Sequence, residues 1–249
     1  MPTAADVGKQ GRGAAIKAVA YAVSALWLCF TGLDVLAYLN GTVSGITIYL
    51  KGAASFLCAF VAFLGWRSGG RRGLDLLRAL GFLLAFLGDV AVLLNTYRVL
   101  SAPLVFSIGG YLFIPALLLI SLRNADGFRF MVRDGRIDGR ELAFALCFYV
   151  PFIALLAFLG KSLAGVGLLG LGIAYGLCLV TVLWTGWAAL RNRLFGASRS
   201  LLIALGATLV FVMELIGLVY NLHVPGLEEI AFFATWILYV PGMLLMALS

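Results

Sequence analysis

Charged residues are scarce in this chain. Only 12% of its 249 residues are charged and 63% are hydrophobic, whereas about 25% of an average soluble domain is charged. A soluble fold of this size has too little interior for so many apolar side chains. One membrane span takes about 20 apolar residues, because the hydrocarbon core is about 30 Å thick and a helix rises about 1.5 Å per residue. The composition therefore excludes a soluble domain and predicts a membrane protein of about eight or nine spans.

Histidine is almost absent, and the few cysteines are not arranged to bind a metal. The four cysteines have neither CxxC spacing nor a histidine beside them, and are Cys29, Cys58, Cys147 and Cys178. We interpret them as small packing residues. The single histidine, His223, follows a predicted span and adjoins a Pro-Gly turn, which favours a boundary role over catalysis. The sequence implies no metal and no other cofactor.

Apolar runs between charged or turn-rich breaks predict an all-α bundle of eight transmembrane helices. The predicted spans are 16–39, 43–65, 74–96, 102–122, 142–159, 163–190, 200–222 and 229–248. They form one domain, 16–249, after a short cytoplasmic segment, 1–15. The first apolar run continues past Leu36 without a small-residue cleavage site, so it is interpreted as a helix and not as a signal peptide.

The basic residues predict the orientation of the chain. The loops and helix ends on one side of the membrane are predicted to carry Lys9, Arg12, Lys17, Arg67, Arg71, Arg72, Arg78, Arg123, Arg129, Arg133, Arg136, Arg140, Arg191, Arg193 and Arg199. The loops on the other side carry only Arg98 and Lys161. Because cytoplasmic loops are enriched in Lys and Arg, both termini are expected in the cytoplasm. Basic loops that alternate with spans also exclude a nucleic-acid role.

Four ionisable residues are predicted to lie at membrane depth, away from the ends of their spans: Asp34, Lys51, Asp89 and Glu214. With the predicted orientation, each lies roughly 9–12 Å below the non-cytoplasmic boundary. Charges at this depth are costly, so we expect them to surround one polar pocket in which Lys51 pairs with at least one acid. The alternative is that Asp34 and Lys51 reach the interface by snorkelling, while Asp89 and Glu214 are hydrogen-bonded packing groups.

Four segments resemble motifs of the lysoplasmalogenase-like (YhhN) membrane family. The run Phe86–Leu94 is similar to the family's Gly-Asp motif, through Gly88-Asp89, and Lys51 resembles the lysine of its Lys-Pro element. Leu205–Glu214 and Leu238–Leu245 are similar to a Gly-Ala…Phe…Ser-Asp signature and to a closing Tyr-rich helix. Gly52, Glu214 and Ile114-Pro115 stand where the family pattern has proline, aspartate and histidine.

The resemblance implies a hydrolase that cleaves the vinyl ether bond of a lysophospholipid, lysoplasmalogen. It implies that Asp89 and Glu214 are the catalytic pair, one a protonated general acid and the other an ionised stabiliser or base. Lys51 would hold this pair in register or attract the lipid phosphate. A proton-coupled transporter is the rival class, although no inverted repeat is evident, and a non-catalytic lipid-binding relative is a third. Richness in Ala, Gly, Leu and Arg favours a bacterial plasma membrane.

Overall fold

Eight long α-helices make up most of the chain. The computed structural model describes residues 4–40, 45–68, 72–96, 103–133, 136–165, 167, 169–221 and 228–249. Within these residues the helices are α1 (Ala4–Leu39), α2 (Ile46–Ser68), α3 (Arg72–Thr96), α4 (Pro103–Asn124), α5 (Gly139–Gly165), α6 (Leu169–Arg191), α7 (Ala197–Asn221) and α8 (Glu228–Leu248). The predicted all-α fold is confirmed. His223 and Arg98 lie outside the described residues.

Six of these helices are long and apolar enough to cross a membrane in the part of the chain that the structure describes. They are α1, α2, α3, α5, α6 and α7. Two shorter apolar segments lie in the other two helices: Ile108–Asn124 in α4 and Ala234–Leu248 in α8. The chain is therefore an all-α bundle with the character of a multi-pass integral membrane protein.

The start of α1 and the end of α5 differ most clearly from the predicted spans. α1 begins at Ala4, so its first turns include the segment predicted to precede the bundle. Lys161 was predicted to separate two spans, but it lies inside α5. One exposed lysine does not stop a helix, because its long side chain can extend into solvent. α5 ends at Gly165, before Gly167, whose φ of +73° suits glycine.

The loop between α4 and α5 contains short regular elements where turns alone were expected. A 3₁₀ helix spans Asp126–Met131, and the strands β1 (Val132–Arg133) and β2 (Arg136–Ile137) pair antiparallel. Phe128 of the 3₁₀ helix stacks on Trp184 of α6, with ring centroids 5.8 Å apart. This aromatic contact attaches the loop to the bundle.

The helices pack as a ring with one helix outside it. Each of the neighbours α1–α2, α2–α3, α3–α4, α4–α6, α6–α7 and α7–α8 is in contact, and α8 also contacts α1 and α2. α5 packs against α6, and much of its apolar surface is exposed, including Val150 and Phe158. The interior of the ring is where side chains from distant parts of the sequence meet.

Glycines allow two helix pairs in this ring to approach closely. A Cβ added at Gly88 of α3 would lie 3.2 Å from the carbonyl oxygen of Gly109 in α4. A Cβ added at Gly206 of α7 would lie 2.6 Å from the carbonyl oxygen of Gly242 in α8. Small residues at such crossings are typical of helix packing in membranes. Because Gly88 is next to Asp89, the close approach of α3 and α4 helps to set the position of Asp89 in the bundle.

Side-chain contacts show that consecutive helices run in opposite directions. Asp34 near the end of α1 meets Lys51 near the start of α2, and Glu141 at the start of α5 meets Arg191 at the end of α6. Helices α2, α4, α6 and α8 thus end where α3, α5 and α7 begin. We call this the basic end, because it carries Arg67, Arg123, Arg191, Arg193 and Arg199.

Candidate functional site

Lys51 and Asp34, which lie toward the end of the bundle opposite the basic end, form an ion pair. Lys51 Nζ lies 2.7 Å from Asp34 Oδ2, and the two side chains are 1% and 11% exposed. The ammonium group also lies 5.8 Å from the ring centroid of Phe30 and 5.6 Å from that of Trp236. Distances of this order permit cation–π attraction. Protein therefore encloses Lys51, which does not snorkel to the surface.

Asp89 of α3 is buried and is held by hydroxyl groups from two other helices. Ser55 of α2 and Tyr239 of α8 both donate hydrogen bonds to Asp89 Oδ2, the second at 2.8 Å. Ser55 lies one helical turn after Lys51, which places both on one face of α2. The carboxyl group therefore sits about one turn, roughly 6 Å along α2, deeper than the Lys51–Asp34 pair.

Glu214 of α7 is partly buried and has a tyrosine partner of its own. Tyr175 of α6 donates a hydrogen bond to Glu214 Oε1. The ring of Tyr175 packs edge-on against Phe113 of α4, with centroids 6.2 Å apart. Tyr175 and Glu214 thus form a second pair of a phenol and a carboxyl group, beside that of Tyr239 and Asp89.

These contacts define what we call the inner cluster. Its members come from six helices and are Asp34, Lys51, Ser55, Asp89, Tyr175, Glu214 and Tyr239. The prediction that Lys51 pairs with an acid agrees with the ion pair to Asp34. That Lys51 holds Asp89 and Glu214 in register stays a prediction, and each of these acids accepts a hydrogen bond from a tyrosine. The catalytic roles assigned to Asp89 and Glu214 stay predictions.

Three hydrogen-bond donors of the inner cluster were missed by the sequence analysis. Ser55 follows Lys51 by four residues and Tyr239 follows Trp236 by three, so helical spacing from a charged or aromatic position could have indicated both. Tyr175 lies in a glycine-rich part of α6 and carries no such signal. Its role depends on which face of α6 is turned toward α7.

The inner cluster has the groups needed for proton transfer in an apolar setting. Two carboxyl groups and two phenol groups lie among buried residues such as Phe82, Met213 and Val240. In water-poor surroundings, hydrogen bonds and charges act more strongly than they do in water. Among the described residues, no group of three or more His, Cys, Asp or Glu side chains is arranged to hold a metal ion.

Comparison with models of known families, with curated proteins and with solved structures returned no match to this chain. The likeness to the lysoplasmalogenase-like family therefore rests on four sequence segments, which contain Lys51, Asp89, Glu214 and Tyr239.

Proposed function

We propose that this protein is a membrane hydrolase of the lysoplasmalogenase type, which cleaves the vinyl ether bond of lysoplasmalogen or a related lysolipid. The observation that carries the proposal is the pair of carboxyl groups, Asp89 and Glu214, each hydrogen-bonded to a tyrosine in the bundle interior. Acid-catalysed opening of a vinyl ether needs one group to donate a proton and another to stabilise the cation that forms.

The same proposal includes an eight-span topology with both termini in the cytoplasm of a bacterial plasma membrane. Its support is the alternation of helix directions together with the arginines collected at the basic end, which the positive-inside rule assigns to the cytoplasm. In this orientation the inner cluster lies in the non-cytoplasmic half of the bilayer. A lysolipid would reach it from the non-cytoplasmic leaflet.

The proposed reaction begins with protonation of the double bond. Glu214 donates a proton to the vinyl carbon farther from the ether oxygen, and the adjacent carbon becomes part of an oxocarbenium ion. Water adds to that carbon and gives up a proton to Asp89, which forms a hemiacetal. Its C–O bond to glycerol then breaks, and the hydroxyl proton moves to the glycerol oxygen. The products are a fatty aldehyde and a glycerophospho-amine.

Hydrogen bonding favours this division of roles between the two acids. The hydroxyl groups of Ser55 and Tyr239 both donate to one oxygen of Asp89, which suits a negatively charged carboxylate. In the described part of the chain, Glu214 accepts a hydrogen bond from one hydroxyl group, that of Tyr175. Exchange of one proton between the two carboxyl groups restores the starting state after each turnover.

Lys51 and Asp34 are proposed as positioning residues. Their short ion pair already neutralises the ammonium group, which makes Lys51 a weak candidate for attracting the lipid phosphate. Instead, the ion pair of Lys51 holds α2 in the rotation that turns Ser55 toward Asp89. Because Ser55 donates a hydrogen bond to Asp89, Lys51 helps to set the position of that carboxyl group.

Aldehyde release by the purified protein in lipid nanodiscs tests the proposal. We expect wild-type protein to release aldehyde from lysoplasmenyl-ethanolamine but not from its saturated ether analogue, which has no double bond to protonate. Asp89→Asn and Glu214→Gln should each lower kcat by about 10²–10⁴-fold, the usual contribution of a general acid or base. Asp126→Asn, the same chemical change in the α4–α5 loop, serves as the matched control and should retain the wild-type rate.

The competing functions give different results in this experiment. Wild-type protein that binds lysoplasmalogen without releasing aldehyde would be a lipid-binding protein. If lysoplasmenyl-ethanolamine causes protons to enter vesicles that contain the protein, and no aldehyde is released, the protein would be a transporter. Full activity in both Asp89→Asn and Glu214→Gln would show that the reaction occurs elsewhere.

A further inference from the structure

Buried arginines at the basic end form a second ionisable cluster. Arg78 of α3 and Arg123 of α4 are 5% and 2% exposed. Both were counted among the cytoplasmic charges, Arg78 just inside the predicted span 74–96 and Arg123 just after the span 102–122, and both lie inside helices. Their side chains are long enough to fold back along the bundle. Arg123 also stacks on the ring of Phe195, with its guanidinium carbon 4.1 Å from the ring centroid.

Two buried arginines of this cluster share a carboxylate from α3. Arg78 and Arg123 lie 3.7 and 3.8 Å from Asp75, and both distances are beyond the 2.7–3.2 Å of an N–H···O hydrogen bond. Arg123 also donates to the hydroxyl and backbone carbonyl oxygens of Ser249, at 3.3 and 3.1 Å. We call Asp75, Arg78 and Arg123 the basic-end cluster, in which Arg78 has the weaker set of partners.

Arg78 keeps hydrogen-bonding capacity that the protein does not use. Among the described residues, its Nε and Nη1 atoms have no hydrogen-bond partner although both are buried. Two more buried donors near the end of α4, Ser121 Oγ and Asn124 Nδ2, are likewise without a partner in the described part of the chain. Buried donors left unsatisfied are costly, and a buried guanidinium especially so. The cluster therefore suits an added acceptor that is anionic and has several oxygen atoms.

We propose that the basic-end cluster binds a phosphate group through the guanidinium group of Arg78. The planar guanidinium fork matches the geometry of phosphate oxygens and can contact two of them at once. Arg78 lies six residues after the start of α3, about 9 Å along the helix, which is headgroup depth if this end faces the membrane surface. The phosphate could belong to an anionic lipid headgroup or to a soluble phosphate, and the chemistry of recognition is the same.

Native mass spectrometry of delipidated protein in zwitterionic detergent tests the lipid source. The probes are phosphatidylglycerol and phosphatidylcholine, offered in equal amounts. Wild-type protein should retain phosphatidylglycerol in about tenfold preference, and Arg78→Gln should lose that preference, as expected when charge-assisted hydrogen bonds are removed. Arg140→Gln removes an exposed arginine at the same end, on α5, and should bind like wild type.

Inorganic phosphate is the probe for the soluble source. At constant ionic strength, phosphate in place of chloride should raise the thermal midpoint of wild-type protein, and not that of Arg78→Gln, if the site takes soluble phosphate. A preference for phosphatidylglycerol without this rise identifies the lipid headgroup. If wild-type protein shows neither effect, or if Arg78→Gln shows both at wild-type strength, the proposal is wrong.

Two further variants keep the test decisive if Arg78→Gln does not fold. Arg78→Lys keeps the charge but loses the planar fork, so binding should weaken by several-fold. In Gly65→Ala, the added Cβ would lie 2.5 Å from Arg78 Nη2 and must displace the guanidinium without changing any charge. Weaker phosphate binding in Gly65→Ala would show that position matters as well as charge. Unchanged binding in both variants contradicts the proposal.

Discussion

The inner cluster and the basic-end cluster are both buried groups of charged side chains, but they are stabilised differently. In the inner cluster, Lys51 lies 2.7 Å from Asp34 and Asp89 accepts two hydrogen bonds. In the basic-end cluster, Arg78 and Arg123 approach Asp75 no closer than 3.7 Å. The first cluster is complete within the protein, whereas the second has donors left for another molecule.

Depth in the membrane gives a physical reason for this difference. Side chains in the hydrocarbon layer have no water or headgroup to bind, so their charges must pair within the protein. Side chains at the end of a bundle lie near lipid phosphates and water, which can take the place of a protein partner. Removing a charge should therefore cost more stability in the inner cluster than in the basic-end cluster.

The largest effect is expected for Lys51→Met. This change leaves the carboxylate of Asp34 buried beside apolar groups without its ion-pair partner. Breaking a buried ion pair typically costs about 3–5 kcal/mol, and we expect a loss of that size in the free energy of unfolding. Reversible unfolding in mixed detergent micelles measures it.

The double variant Lys51→Met/Asp34→Leu is the control for that experiment. Replacing both members of a buried pair by apolar residues is often neutral, so most of the lost stability should return. If the double variant is less stable than Lys51→Met, the charge pairing is not what stabilises this part of the bundle.

An intermediate effect is expected for Tyr239→Phe. The ring is kept, including its edge-on contact with Trp236 at 5.4 Å, and only the hydroxyl that donates to Asp89 is lost. A hydrogen bond to a charged group contributes about 1.5–3 kcal/mol, so the free energy of unfolding should fall by that amount. Tyr111→Phe removes a hydroxyl from an exposed tyrosine of α4 and should change stability by less than about 0.5 kcal/mol. Equal losses in the two variants would contradict the importance of the Asp89 contact.

The smallest effect is expected for Arg78→Met in lipid-free detergent. Asp75 keeps its contact with Arg123, and a buried guanidinium with unsatisfied nitrogen atoms is removed. The free energy of unfolding should therefore change by less than about 1 kcal/mol in either direction. A loss as large as that of Lys51→Met would show that the basic-end cluster is as complete as the inner one.

Hydropathy was sufficient to predict the helices, because each apolar run must be long enough to cross the bilayer whatever its neighbours are. It was less reliable at the helix ends. Lys161 was interpreted as a break and lies within α5, while Arg123 was interpreted as the start of a loop and is buried at the end of α4. Long basic side chains can extend outward or fold inward, and a sequence does not distinguish the two.

The inner cluster was only partly predictable. Asp34, Lys51, Asp89 and Glu214 stood out because charges are rare in apolar runs. Ser55, Tyr175 and Tyr239 did not, since such residues are common in membrane helices without any special role. Which acid pairs with Lys51 also depended on the rotation of α1 and α2 about their axes.

The sequence by itself determined the all-α fold, the apolar character of its helices and the few charges they carry, because these follow from the cost of transferring residues into an apolar phase. Only the tertiary structure decided that Lys51 binds Asp34, that tyrosines hold Asp89 and Glu214, and that two arginines share Asp75. These pairings depend on how the helices are rotated and how closely they pack. Crossings such as that between Gly206 and Gly242 set those quantities, through contacts between residues far apart in the chain.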